Sequence, residues 1–318
     1  MQRSGGQLGF AEALVRGSSR KGADRLERIA ALLDWTALDA LLSPLRSPDR
    51  GRPGYRPGTL FRALLLQQWY GLSDPELEEA LADRLSFRRF VGLALDEAVP
   101  DETTLCRFRA ALQGGELAAQ AFAEINRQLD ARGLVLRRGT MIDATLVAAA
   151  VRPPRPSEGY VSPADPEADW AVRANGVSFG YKAHVAVDLG SGLVRKALLT
   201  PASVHDSIPA DELILGDEAA VYADRGYDKK ARRAELRARG VKDRIMHKAQ
   251  RWYAITRWQR RRNRLIAPIR SAVERTFGTL KRGYGYVRVR YRGVLRNQVH
   301  LQLLCSALNL RRAAVLCA

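Results

Sequence analysis

The chain is poor in cysteine, lacks any long apolar run and carries almost no acid after Asp243. Cys106, Cys305 and Cys317 are its three cysteines, far apart and in no metal-ligand spacing. That argues against a disulfide framework and leaves ordinary reduced thiols. No stretch approaches the roughly 18 apolar residues a membrane helix needs, so no membrane partner is expected. Met1 to Arg20 is polar and Gly/Ser-rich with no apolar h-region, so no secretion signal is expected and the site of action is read as the cytoplasm. With 46% apolar and 27% charged residues, the 318-residue chain suits a folded protein of one large or two smaller domains. No internal repeat is visible.

What is abundant is positive charge, and it is localised. The net charge is +18, yet residues 225 to 296 alone hold 24 lysines and arginines against Asp228, Glu235, Asp243 and Glu274. The rest of the chain is therefore close to neutral. Compositional drift toward arginine would spread the excess, whereas a polyanion partner concentrates it. Most of these residues are arginine, whose fork matches phosphate in a bidentate way.

Apolar spacing of three and four residues predicts helices over 22–45, from Thr59 to Gly71, after Ser73 and after Asp101, and from Glu116 to Arg132. Ser73 with Glu76 forms a capping-box pattern, and Pro75 stands at the helix start. Residues 46–58 read as a Pro/Gly loop. The pattern changes at Gly139. Five strand-like runs follow: around Ile142, two flanking the Leu189–Gly192 turn as a hairpin, one ending at Asp224, and one around Val241–Met246. The Pro-rich segment 152–169 reads as a mobile linker. A helix from about Trp258 to Lys281 is expected to kink or break at Pro268, and a short helix near 298–314 to close the chain. The order implies an all-helical region, 1–135, and an α/β region, 136–318.

Three acids are out of place. Asp143 lies between Ile142 and Ala144 in an apolar strand, Asp224 ends the run Val221-Tyr222-Ala223, and Glu274 is the sole acid beyond Asp243. A buried carboxylate needs a partner or a metal. Taken singly, each reads equally well as a strand-end cap or an arginine salt bridge. Together, on two strands and a helix, they form an oxygen-donor set suited to Mg²⁺, with Mn²⁺ able to substitute. Two such ions support phosphodiester transfer.

At this point the sequence resembles bacterial DDE transposases of the insertion-sequence-5 family. The resemblance runs from about Tyr55 to Leu310 and rests on "YRPGTLFRALLLQQWYGLSDPELEEALADRLSFRRFVGL", "PDETTLCRFR", "IDATLV", "FGYKAHVAVDLGSGLV", "TPASVHDS", "YADRGYDKK" and "AVERTFGTLKRGYGYVRVRYRG". Arg270, Glu274 and Lys281, with three and six residues between them, carry its most specific spacing; Ala267 stands where the wider group often has Tyr. The resemblance implies a ribonuclease-H-like catalytic domain with a mixed five-stranded sheet, and Asp143, Asp224 and Glu274 as metal-holding catalytic residues. It also implies double-stranded DNA as partner, both terminal inverted repeats and target, with a homodimer or larger synaptic assembly. The helical region would supply dimerisation or end recognition. The 80 residues between Asp143 and Asp224, and the 49 between Asp224 and Glu274, leave no room for a large inserted domain.

Expected DNA contacts are Lys182, Arg225, Arg257, Arg261, Arg270, Lys281 and Arg282. Alternatives stay open for several. Arg270 and Lys281 equally suit ion pairing with Glu274 across helical turns. Lys182 and His184 share a strand face, and a structural hydrogen bond for His184 is as good a reading. His205-Asp206 is either a supporting network or a turn. Trp252, Tyr253 and Trp258 either stack on bases or pack in a core. A catalytically silent DNA-binding derivative and a simple metal-dependent nuclease are the competing functional readings.

Overall fold

The computed structural model describes residues 21–45, 54–155, 159–173, 176–249 and 253–317. The Gly/Ser-rich start of the chain, most of the 46–58 loop and Trp252 lie outside them. The chain divides into two compact units, one of residues 1–132 with 302–318 and one of 133–301.

The first unit is helical. Its helices are α1 (Lys21–Ala30), α2 (Trp35–Leu41), α3 (Pro57–Tyr70), α4 (Asp74–Asp83), α5 (Leu85–Val91), α6 (Glu102–Ala111) and α7 (Leu117–Ala131). The stretch expected as one helix over 22–45 is broken, because Asp34 starts a second helix by accepting from the Thr36 N–H. Helix α3 begins two residues earlier than expected, with Pro57 in its first turn, where the missing N–H costs nothing. Ser73 and Glu76 form the expected reciprocal cap of α4, and Asp101 caps α6 through Thr104 N. Nearly every face of α3 is buried. The reason is the end of the last helix, α12 (Val294–Leu316): the Trp69 indole donates to Ala307 O at 2.8 Å and Arg311 to Trp69 O at 2.8 Å. The closing helix is thus longer than expected, and residues 302–318 belong to the helical unit instead of the α/β one.

The second unit is built on a sheet with strands β1 (Thr140–Ala148), β2 (Asp169–Arg173), β3 (Gly176–Asp188), β4 (Val194–Pro201), β5 (Ala220–Ala223) and β6 (Lys242–Ile245). There are six strands where five were expected. The path is β2-β3-β1-β5-β6, with β4 on β3. β1 is antiparallel to β3 and parallel to β5, and β5 is parallel to β6. β1 is central, which explains its continuous apolar character. The extra strand, β2, comes from the end of the segment read as a mobile linker. That segment is anchored: Asp165 is 1% exposed and accepts from Tyr181 OH at 2.7 Å and Gly293 N at 3.0 Å, while Glu167 accepts from Val294 N. Its acids face the start of α12, where orphan N–H groups favour negative charge.

α8 (Ala210–Leu213) links β4 to β5 and α9 (Lys230–Ala238) links β5 to β6; α10 (Arg257–Arg270) and α11 (Val273–Gly278) follow β6 and lead into a π-helical turn, Thr279–Gly283. The expected break at Pro268 falls three residues later. Pro268 stays inside α10, and the chain turns at Ser271 and Ala272. One face of the sheet is closed by a core including Ile142, Ala186, Leu213, Val221, Tyr227, Leu236 and Ile245.

Candidate active site

Asp143 sits mid-β1 opposite Val185. One carboxylate oxygen accepts from the next N–H, Ala144, at 2.9 Å, and the other accepts from Arg270 Nη1 at 2.8 Å. Burial pushes this carboxyl up to about 6; Arg270 and the Ala144 N–H pull the other way, and Asp224 and Asp206 add to the rise. The second guanidinium nitrogen of Arg270 reaches Glu274 Oε1 at 3.2 Å, one turn on. One arginine therefore bridges an acid of the central strand and an acid of α11. Arg270 is mostly buried, whereas Glu274 has 63% of its side chain exposed. The turn at Ser271 does not separate the pair, because Arg270 closes α10 and Glu274 opens α11.

Asp224 follows β5 directly. It caps a single 3₁₀ turn, Arg225–Tyr227, by accepting from Gly226 N at 2.7 Å. That turn places Tyr227 in the core at 1% exposure. Its hydroxyl is buried and, among the described residues, has no hydrogen-bond partner. Burial, followed by the charges of Asp143, Asp206 and Asp224, raises its pKa far above the usual phenol range. The charges of three aspartates thus act on one orphaned hydroxyl. Tyr227 escaped the reading of the sequence. Its one signal was an aromatic in the polar turn after Asp224.

Lys182, expected as a DNA contact, is buried. Its ammonium pairs with Asp206 at 2.9 Å and donates to Val204 O at 2.7 Å. Asp206 therefore sits in a turn, closed by Ile208 N donating to His205 O at 2.9 Å, and also in an ion pair. His184 is fully buried and hydrogen-bonds through Nε2 to Thr200 Oγ1 at 2.9 Å, and burial lowers its pKa to about 4. It is a structural histidine.

The arginines of α10 divide by face. Arg257, Arg260, Arg261 and Arg264 are exposed and line one open hollow with Leu265. Arg262 points inward, donating to the carbonyls of Asp243 and Ile245 and to His247 Nε2. Arg233 meets the same cluster from α9, pairing with Asp228 and Asp243. Neither inward role was read from the sequence. Arg225 and Arg282 are exposed, and Lys281 is half-buried in the π turn. Tyr253 and Trp258 are 73% and 65% exposed, so neither is a core residue.

Two family models match the chain. A transposase domain (DUF772) covers residues 16–111, and a transposase DDE domain covers residues 136–310. The chain belongs to the DDE transposases. No solved structure matches it. No helix among the described residues of the transposase is long and apolar enough to cross a membrane.

Enzymes of this family generally work with divalent metal ions, and the donor set can be weighed on its chemistry. Asp143, Asp224 and Glu274 offer only carboxylate oxygen, as hard cations require. Asp143 is buried and already held by a cation, the guanidinium of Arg270. Among the described residues no three acids, histidines or cysteines stand close enough to enclose an ion. The residue types suit a divalent cation, but the three acids are not gathered round one point, and Arg270 stands between two of them.

Proposed function

We propose that this transposase, of the insertion-sequence-5 kind with a ribonuclease-H-like catalytic unit, binds the terminal inverted repeats of its element. It cleaves the phosphodiester at each end and joins the freed 3′-hydroxyls to target DNA in the bacterial cytoplasm. The observation that carries the reading is the Arg270 bridge between Asp143 and Glu274. It brings the central-strand acid and the helix acid to one guanidinium, beside the strand end that bears Asp224. A sheet in which β1 lies between antiparallel β3 and parallel β5 supports the fold assignment.

Asp143, Asp224 and Glu274 would hold Mg²⁺, or Mn²⁺ in its place. Such ions, when bound, sharpen the attacking oxygen and stabilise the leaving one. The chain's own part is charge management and positioning. Without DNA, Arg270 offsets the buried Asp143 carboxylate. With DNA, its fork turns to a phosphate oxygen pair, a better-matched acceptor, and releases both acids. Arg257, Arg260, Arg261 and Arg264 give the backbone a track without sequence preference. The helical unit supplies dimerisation or end recognition within a homodimer or larger synapse.

The test is a strand-transfer assay with cognate ends and Mg²⁺. Asp143→Ala, Asp224→Ala and Glu274→Ala should each abolish joining while leaving DNA binding intact. Joining by any of the three at the wild-type rate would sink the assignment. Cleavage without joining by wild type would favour a simple nuclease, and binding without cleavage a silent derivative.

A further inference from the structure

The 281–292 segment carries chemistry that the acids do not use. It holds Lys281, Arg282, Arg288, Arg290 and Arg292 and no acid. Part of it is stitched to the end of β1: Ala148 N donates to Val287 O at 3.0 Å and Val289 N to Ala148 O at 2.8 Å. Val289 is buried, whereas Val287 and Arg288 are exposed.

Across from this segment, β2 and β3 leave the sheet as a two-stranded arm. The departure point is Gly180, where φ is +151° and an added Cβ would lie 2.3 Å from Val147 O. Only glycine lets the arm pass β1 this closely. Trp170 packs on Phe179 at the arm's base, with ring centroids 5.0 Å apart. Toward its end Val172 pairs with Val177, and these are 81% and 59% exposed. Between arm, strand end and basic segment lies a groove of about 520 Å³, lined by Leu146, Ala148, Val177, Phe179, Lys281 and Arg288.

An exposed apolar rim marks an interaction surface. A basic rim free of acids selects a polyanion over a neutral protein face. Both are met by duplex DNA, whose phosphates suit the basic rim and whose minor groove accepts apolar wedges. We infer that this groove is a second DNA-binding site of the transposase, holding duplex that flanks the phosphate at Asp143, Asp224 and Glu274. The inference rests on the DNA-joining reading above. Five residues of β1 separate Asp143 from Ala148, about 16 Å at 3.3 Å per residue. On B-form DNA that is about five base pairs.

The test uses a short fluorescent duplex of mixed sequence in metal-free buffer, with affinity followed between about 50 and 200 mM salt. Arg288→Gln should weaken binding several-fold and lower the slope of log K against log salt by about 0.9. Val177→Ser should weaken binding with the slope unchanged. A benzophenone side chain at Val177 should crosslink to the duplex. Arg261→Gln, on α10, reports on DNA binding outside the groove. If Arg261→Gln lowers the slope while both groove variants bind as wild type, the groove site is overturned and the DNA reading stands. If wild type shows no salt-dependent binding, the DNA reading itself falls. A crosslink to a second protein chain in place of DNA would make the groove an interface between copies and overturn the inference.

Discussion

Replacing Asp143 by Asn should reverse its effect on stability between alkaline and acid pH. The carboxyl is raised from its ordinary 3.8 to about 6, chiefly by burial. Because the folded state holds its proton more tightly than the unfolded chain, the stabilising protonated form is fully present below 3.8. That contribution is lost as pH rises through 6. The gap between 3.8 and about 6 corresponds to about 3 kcal/mol at 1.36 kcal/mol per pH unit. Asn keeps the shape and can still accept from Ala144 N, but it does not ionise. Its amide also sets an N–H against the Arg270 fork, a mismatch worth about 1–2 kcal/mol. At pH 8 in EDTA the variant should therefore melt higher, by about 1–2 kcal/mol or a few degrees. Near pH 4, where wild type is itself mostly protonated, it should melt lower. The swing between the two conditions stays near 3 kcal/mol whatever the amide mismatch costs, since that term is the same at both. Melting curves of both proteins across pH 4 to 8 would show the crossing. A constant difference across that range would refute the account of a desolvated carboxylate, and with it the claim that the fold tolerates Asp143 for its chemistry.

Arg270→Ala removes the only cation bonded to buried Asp143 among the described residues and should cost about 3–5 kcal/mol at pH 8; in an Asp143→Asn background the loss should shrink well below that, as a double-mutant cycle of melting temperatures would record. His184 titrates in the opposite direction to Asp143: its folded pKa of about 4 lies below its ordinary 6.5, so stability is present above 6.5 and about 3 kcal/mol is lost as pH falls through 4. Replacement of His184 by Gln should flatten that acid limb in urea titrations. Arg261→Gln should lower the salt slope of DNA binding by about 1, whereas Arg262→Ala should lower the melting temperature and leave the slope alone, since Arg262 faces the sheet; equal slopes for the two variants would contradict the division of α10 into faces.

Local signals in the sequence were strong where chemistry is local. The Ser73–Glu76 cap, the Asp101 helix start and the hairpin after Asp188 depend on residues within a turn of one another, and all appear in the structure. What was hidden depended on distant partners. β2 has only five residues, and β3 is what makes it a strand. The 152–169 segment looked loose because nothing nearby in sequence shows that Asp165 and Glu167 meet the start of α12. Lys182 looked like a surface cation because its counter-charge, Asp206, is 24 residues away. The site itself was legible as three acids in unfavourable places, but not as an arrangement. The pairing of Arg270 with Glu274 was readable from their spacing, whereas its reach to Asp143 and the orphaned Tyr227 hydroxyl follow from packing alone.

The basic stretch of the sequence is therefore not one feature. Arg232, Arg233 and Arg262 are spent on buried or part-buried acids and carbonyls; each donates into the fold and is lost to any outside partner. Arg257, Arg260, Arg261 and Arg264 take the opposite face of the same helix that Arg262 anchors. The inward arginine anchors the helix that carries the outward ones, so on the proposed reading their charge would reach a DNA backbone at low conformational cost. Arg270 stands between these two classes. It lies at the end of α10, mostly buried, yet its partners are the two acids that the proposed chemistry needs free. On the proposed reading, a residue that is structural without DNA and phosphate-binding with it would couple the two states: Arg270 would offset the acids until a phosphate competes for the guanidinium. The cost of leaving Asp143 without that cation, about 3–5 kcal/mol at pH 8, would set how strongly Arg270 is kept in place until DNA arrives.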